Sequence, residues 1–404
     1  MSSWGTGAAD LREALIAWGV PLLPLLFLGV PLGDSEKTVS LPKLLLPALV
    51  ALWAASLRRS DLAILKRPFA WAFLSYLGWV ALGAVVEPHR WALWHLAEEA
   101  IYVLLLAGAW TRPPTAGDDV WRHFRAVCVL IALAAIVLDL ANVPRGDLPF
   151  RAMGTPNVAA AFLVLALLHA LAERRVAHVA TFLIGMVALG SAGAWLGLLG
   201  GALPMVRRRV HLVGAAVDAA GVLWLLSPSV PTPLGRHGYS VKGPPPNAFW
   251  KNSVEPRLYI ARRSFDAVAE RPWLGFGLGT YPDAFLAVER HQIGEAEMPW
   301  WRFGSPPQDP VGLSAHNDLL RIAVESGIPA AALWVLGLAA LGWELRGCPL
   351  ALGLLVAFFA QSMTDNLYQL SNYVPVLWTL VGMERASTRR QSRRISPVRP
   401  APGG

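Results

Sequence analysis

The stretch that decides the fold is PFAWAFLSYLGWVALGAVV, residues 68–86, which contains no charged side chain. A helix of about 20 such residues crosses the hydrocarbon core of a bilayer, which is roughly 30 Å thick. Similar apolar blocks recur along the chain, so the sequence predicts an all-α polytopic membrane protein of about twelve transmembrane helices. The other blocks lie at 13–32, 41–57, 91–110, 122–140, 156–172, 177–190, 193–206, 210–227, 317–343, 349–364 and 373–384.

The composition also indicates a membrane protein. Of the 404 residues, 55% are hydrophobic and 15% are charged, with a mean hydropathy of +0.45. Soluble domains are about 45–50% apolar and about 25% charged. The net charge of +8 comes from Lys and Arg clusters between apolar blocks, a distribution that sets membrane topology and argues against nucleic-acid binding. Cys128 and Cys348 form neither a CxxC pair nor a metal-ligand spacing, so no metal or cofactor is predicted.

When the twelve apolar blocks are numbered in chain order, a dense basic cluster follows the second, fourth, sixth, eighth and twelfth blocks. Because basic clusters mark the cytoplasmic side of a membrane, both termini are predicted to be cytoplasmic. The clusters are Arg58–Arg59 with Lys66–Arg67, Arg112 with Arg122 and Arg125, Arg174–Arg175, Arg207–Arg209, and the Arg-rich tail. Four regions follow from this order. They are a nine-helix membrane region (1–227), an outer, periplasmic loop domain (228–316), a three-helix membrane region (317–385) and a disordered basic tail (386–404).

The outer loop contains EPRLYIARRSFDAVAE, which predicts a helix starting at Pro256 and ending before Pro272. Arg257 falls in the middle of its apolar stripe, whereas Arg262 and Arg263 fall on the opposite face, toward solvent or lipid headgroups. Arg257 either snorkels out along its stem or binds an anion, since its planar fork suits phosphate. The stripe consists of Leu258, Ile260, Ala261, Ser264, Phe265 and Val268.

The turn after this helix contains Gly275 and Gly277. It resembles a nucleotide loop only weakly, because no GK[ST] follows and no βαβ unit surrounds it. A flexible turn is the preferred interpretation, and such a turn lets the backbone approach a substrate closely.

The stretch SAHNDLLRIAVESGIPAAALW opens a membrane helix, with His316 and Asn317 at its outer mouth. His316 is either an interfacial residue or a general base, because imidazole accepts protons near neutral pH. Arg321 is expected to pair with Glu325, one helical turn further on, which lowers the cost of both charges in a membrane.

Together these stretches resemble the family of O-antigen ligases and polymerases, which are membrane glycosyltransferases with many spans and one large periplasmic loop. One departure stands out, because many members have an Arg after the Ser between two middle spans, where this chain has Ala192 after Ser191. Arg151 is a candidate substitute. The matching motifs are Arg257-Leu258, PWLGFGLGTY (272–281), His316-Asn317, the stretch 325–328, RAMGTPNVAAAF (151–162) and Thr364-Asp365-Asn366.

The resemblance implies a GT-C-like, inverting glycosyltransferase of the bacterial inner membrane that needs no metal or cofactor. The donor would be a glycan on undecaprenyl diphosphate, and the acceptor a sugar hydroxyl on lipid A-core or on another lipid-linked glycan. Membrane lipids are the other expected partners. His316 would be the general base and Arg257 would bind the diphosphate. Substrate contacts are expected at Arg151, Asn157, Arg262, Arg263, Gly275, Gly277, Asn317 and Arg321.

Other functions stay open at this point. Ligase and polymerase share these motifs, and their acceptors differ in loop detail. A polysaccharide or lipid transporter or flippase is the alternative from another class, although transporters commonly consist of two related halves and no such repeat is visible here. A non-catalytic scaffold of envelope assembly is the third alternative.

Overall fold

The computed structural model describes residues 10–25, 29–31, 38–55, 59–89, 92–111, 113, 117–141, 156–205, 255–293, 315–370 and 372–395. The ninth apolar block (210–227), Arg151 and most of the predicted outer loop lie outside the described residues.

The described chain is helical apart from two short antiparallel strands, β1 (Gly29–Pro31) and β2 (Thr38–Ser40). Residues 10–25 form a helical segment with a π turn at Leu15–Gly19, an α turn at Val20–Leu22 and a 3₁₀ turn at Leu23–Leu25. Further 3₁₀ segments are Arg59–Lys66 and Leu367–Gln369. The main helices are α1 (Leu41–Ala55), α2 (Pro68–Val86), α3 (Ala92–Thr111), α4 (Gly117–Leu140), α5 (Pro156–Ala172), α6 (Val176–Leu189), α7 (Ala192–Met205), α8 (Glu255–Glu270), α9 (Tyr281–Ile293), α10 (Asp318–Leu345), α11 (Pro349–Ser362) and α12 (Tyr373–Ile395).

Within the described residues, four helices are long and apolar enough to cross a membrane, namely α2, α3, α4 and α10. Helices α5, α6, α7 and α11, with residues Leu46–Ala55 of α1, are apolar but shorter. The prediction of a helical integral membrane protein is therefore confirmed, apart from the short strand pair. The number of spans and their orientation stay predictions. Helix α12 continues to Ile395, so residues 386–395 of the tail predicted to be disordered are helical.

Helix α5 lies at the centre of the bundle. Every residue from Val158 to Leu171 is buried, because α4, α6, α11 and α12 all pack against this helix. A helix that is apolar all round is one that has neighbours on every side. This burial fixes the position of Asn157, the second residue of α5.

Helix α10 is broken near its middle. Gly327 has φ 83° and ψ 169°, outside the helical region. Pro329 has no N–H and cannot donate to the carbonyl of Glu325, as a regular helix would require. Ile328 turns its N–H away from the helix and donates to Pro272 O at 2.8 Å. Two helical carbonyls, those of Val324 and Glu325, therefore need other donors.

The Pro-Trp-Leu-Gly-Phe-Gly turn, residues 272–277, supplies those donors. Phe276 N–H donates to Val324 O at 2.9 Å, and Gly277 N–H donates to Glu325 O at 3.0 Å. The Trp79 indole of α2 completes the junction by donating to Trp273 O at 3.3 Å and to Ser326 O at 3.1 Å. The turn and the helix break are thus complementary, and together they hold α8 and α9 against α10.

Candidate active site

His316 lies in the turn before α10, with a left-handed φ of 46° that non-glycine residues adopt rarely. The neighbouring Asn317 holds this conformation in place. Its side-chain oxygen accepts from Leu320 N at 3.0 Å and caps α10. Its side-chain amide donates to Met363 O at 3.2 Å, and its backbone N–H donates to Asn366 Oδ1 at 3.0 Å. Asn317 therefore ties the start of α10 to the turn that follows α11.

The imidazole of His316 faces a carboxylate from that turn. Its Nδ1 lies 3.6 Å from Asp365 Oδ1, and the two side chains are 35% and 19% exposed. Asn157, at the start of α5, also hydrogen-bonds Asp365, and Asn366 N–H donates to Asp365 Oδ1 at 2.9 Å. Two distant segments, the start of α10 and the start of α5, thus converge on the carboxylate of this turn.

Asp365 is ionised at neutral pH. Burial alone would raise its pKa, but the nearby imidazole of His316 and the hydrogen bonds from Asn366 and Asn157 outweigh burial and lower the pKa below the ordinary value. An ionised carboxylate beside one imidazole nitrogen fixes which ring nitrogen carries the proton and leaves the other as the base. The arrangement is a His–carboxylate pair at a partly exposed surface.

Helix α7 approaches this turn closely. A Cβ at Gly193 would overlap the Thr364 side chain, and one at Gly197 would overlap Gln361. Since Ala192 precedes Gly193, the position where relatives of the resembled family carry an Arg lies beside the turn that holds Asp365.

Arg321 lies inside the bundle, one turn beyond Asn317, and is 3% exposed. Its guanidinium lies 2.9 Å from Glu325, 3.6 Å from Asp318 and 3.7 Å from Glu99. The predicted pairing with Glu325 is confirmed. The substrate contact predicted for Arg321 stays a prediction, and its three carboxylate partners favour a structural role.

Helix α8 occupies the residues predicted for it and packs against α10. Arg257 is half-buried in its first turn, while Arg262 is exposed. Arg263 is held within its own helix, 3.2 Å from Asp266 and with its guanidinium 5.4 Å from the centre of the Tyr259 ring. Convergence of Arg257 on His316, and the substrate contacts of these arginines, stay predictions.

Two residues of the apolar stripe predicted for α8 lie on the surface of the bundle, with Leu258 65% exposed and Phe265 61% exposed, whereas Ser264 of the same stripe is fully buried. Ser264 makes a contact that helical periodicity cannot reveal. The Ser264 hydroxyl lies 2.8 Å from the Tyr281 hydroxyl of α9, which turns the serine side of the helix inward.

Gly275 and Gly277 have φ of 69° and 108°, conformations that favour glycine. The predicted turn is confirmed, and the contacts explain why it needs glycines. A Cβ at Gly275 would collide with the backbone of Glu325, and one at Gly277 would lie 3.0 Å from Glu87 O. A substrate contact at either glycine stays a prediction.

In the part of the chain that the structure describes, no group of His, Cys, Asp and Glu side chains has the arrangement of a metal site.

These features define a class, an integral membrane protein with an oriented His–carboxylate pair at one end of a helical bundle. The family model for O-antigen ligase matches residues 152–335 of the chain, which confirms the resemblance on which the sequence analysis drew. The matched region is less than half of the chain. No curated protein matches the chain.

The matched region contains Asn157, Arg257, His316 and Arg321 but ends before Asp365. The Thr-Asp-Asn turn (364–366) is recognisable in the sequence as a motif, but the sequence does not assign Asp365 to the site. The available signal was an acidic residue on the same predicted side of the membrane as His316. Its contact with the imidazole emerged only from the fold.

Proposed function

We propose that the protein is an O-antigen ligase, which transfers a glycan from undecaprenyl diphosphate to a sugar hydroxyl of lipid A-core. The reaction takes place at the periplasmic face of the bacterial inner membrane, and both termini are cytoplasmic. The observation that carries the proposal is the His316–Asp365 pair, 3.6 Å apart, within a chain that matches the O-antigen ligase family model.

In this mechanism the acceptor hydroxyl attacks the anomeric carbon of the donor sugar. His316 takes the hydroxyl proton on the ring nitrogen remote from Asp365, and the carboxylate stabilises the imidazolium that forms. The bond between the anomeric carbon and the diphosphate oxygen breaks as the new glycosidic bond forms. A single displacement of this kind inverts the anomeric carbon.

The leaving diphosphate needs positive charge. Arg257 is the proposed ligand, with Arg262 and Arg263 on the same helix and Arg151 as further candidates. Guanidinium groups can take up this charge without a metal, because they donate paired hydrogen bonds to phosphate oxygens. Donor and acceptor are both lipid-anchored, so a site at the membrane surface holds them at high local concentration.

A polymerase of the same family uses the same donor chemistry on a different acceptor. The glycan profile of a deletion strain separates the two. Loss of all capped lipid A-core, with lipid-linked polymer accumulating, supports the ligase. A single repeat unit left on the core contradicts the ligase and identifies a polymerase.

His316→Ala tests the catalytic role. Removing the base should lower glycan transfer by about a hundredfold or more, while membrane abundance stays at the wild-type level. A transporter or scaffold would tolerate the change. His89→Ala is the matched control, since His89 also faces an aspartate, Asp283, at 3.9 Å, with a similar side-chain exposure of 27%. Equal activity of the two variants would contradict the proposal.

A further inference from the structure

The end of the bundle opposite His316 contains a basic cavity of about 370 Å³. Helix α12 begins near the His316–Asp365 turn, and Arg385 lies about 18 Å further along it, at 1.5 Å per residue. The cavity is open to the surface between α12, the end of α3 and the 3₁₀ segment Arg59–Lys66. Its volume falls at the lower end of the range for small-molecule pockets, about 300–1,000 Å³.

The charges around the cavity do not balance. Four arginines line it, namely Arg67, Arg385, Arg389 and Arg390. The carboxylates near them are Asp61, which also lines the cavity, and Glu344, which pairs with Arg67 at 3.2 Å. Among the described residues around the cavity, arginines therefore outnumber carboxylates by two.

Arg385 is the buried member of the set, at 6% exposed. Its Nη1 donates to Trp110 O at 2.9 Å, and its guanidinium carbon lies 3.5 Å from the centre of the Trp110 ring. Its Nε is buried without a hydrogen-bond partner among the described residues.

We infer that this cavity binds the phosphate group of an anionic membrane lipid. Arginine suits phosphate because its planar fork donates two hydrogen bonds at once. Basic pockets between membrane helices on the cytoplasmic side are typical binding sites for anionic headgroups, and the charge pattern of the sequence predicts that this end is cytoplasmic. The bound phosphate would offset the excess positive charge and place an anion beside the buried guanidinium of Arg385.

The surroundings favour a lipid over soluble phosphate. Leu62 and Leu65 are 55% and 42% exposed, and they alternate with cavity-lining residues on the same 3₁₀ segment. Exposed leucines beside a basic cavity fit a ligand that has acyl chains next to its phosphate. This site is distinct from the proposed glycosyl-transfer site, so either proposal can fail alone.

The test uses the full-length protein purified in a neutral detergent, with thermal unfolding followed during titration. The three probes are phosphatidylglycerol, phosphatidylcholine with the same acyl chains, and inorganic phosphate. A ligand of the folded state raises the unfolding temperature as its concentration rises. We expect phosphatidylglycerol to stabilise the wild type, with little effect from phosphatidylcholine or from inorganic phosphate at the same concentration.

The variant R389Q/R390Q removes two exposed arginines and leaves the buried Arg385 in place. It should need about ten times more phosphatidylglycerol for the same stabilisation. The charge-matched control is R122Q/R346Q, which removes two exposed arginines outside the cavity and should titrate like the wild type. R385Q should also lose the stabilisation by phosphatidylglycerol. If R385Q does not fold, the titration of R389Q/R390Q tests the inference by itself.

Three results would overturn the inference. The first is a wild-type response of R389Q/R390Q to phosphatidylglycerol. The second is equal stabilisation by phosphatidylcholine, which would remove the role of negative charge. The third is equal stabilisation by inorganic phosphate, which would make the ligand a soluble anion instead of a lipid.

Discussion

Arg321 and Arg385 are both buried arginines, 3% and 6% exposed, yet their surroundings are opposite in charge. Arg321 has carboxylates of Glu325, Asp318 and Glu99 within 3.7 Å. Arg385 contacts a carbonyl oxygen and an aromatic ring, and its charged neighbours include two arginines, Arg389 and Arg67, beside one carboxylate, Glu344.

The difference teaches that burial of a cation does not reveal its role, whereas its neighbours do. A buried charge needs a partner of opposite charge or hydrogen-bond partners, because burying it without them costs free energy of folding. The chain itself compensates Arg321, and Tyr368 N–H also donates to Asp318 Oδ2 at 2.8 Å. In the inference above, a bound phosphate compensates Arg385. We therefore expect Arg321 to matter for folding and Arg385 for binding.

The largest expected effect is that of Arg321→Met. It would leave the carboxylates of Glu325, Asp318 and Glu99 buried together without their cation, which should destabilise the protein by about 3–5 kcal/mol. Protein abundance in the membrane and unfolding temperature are the measurements. Arg263→Met is the control, because its pair with Asp266 on the same helix should be worth about 1 kcal/mol or less. Normal accumulation of Arg321→Met would remove the structural assignment.

Gly327→Ala should come next. The position has φ 83°, and an added Cβ would overlap the carbonyl of Trp273, so the junction between α10 and the 272–277 turn should open. A loss of about 2–3 kcal/mol is expected from the strained backbone, measured by thermal unfolding. Gly78→Ala is the control, since a Cβ there meets nothing within 4 Å and alanine favours a helix. Equal stability of the two variants would mean that the break in α10 is not held by this junction.

Asp365→Asn should change activity more than stability. The amide cannot hold His316 as the carboxylate does, so glycan transfer should fall about tenfold to a hundredfold with abundance unchanged. Asp283→Asn, the partner change in the His89 pair, should leave transfer at the wild-type level. Full activity of Asp365→Asn would show that His316 acts without its carboxylate.

The smallest expected effect concerns pH. The folded-state pKa of Asp365 lies below its ordinary value of 3.8, so the ionised carboxylate stabilises the fold above that value. This contribution is lost as the pH falls through the folded-state pKa. The difference in unfolding temperature between wild type and Asp365→Asn should therefore be constant near pH 6 and shrink below about pH 4. A difference that grows on acidification would contradict the lowered pKa.

The sequence by itself determined the helical membrane character of the protein, because runs of apolar residues are a local property that needs no knowledge of distant contacts. It also determined the helix at 255–270 and the Arg321–Glu325 pair, since residues four apart on a helix are neighbours. The same local patterns pointed to His316 and Asn157.

Only the tertiary structure decided which of these residues meet. Asn317 and Asn366 are 49 residues apart in the chain and in contact through a hydrogen bond, and the same approach brings Asp365 to His316. The inward turn of Ser264 and the excess charge around Arg385 likewise depend on segments far apart in the sequence. Periodicity describes the faces of one helix, whereas the partner of each face is set by how the helices pack together.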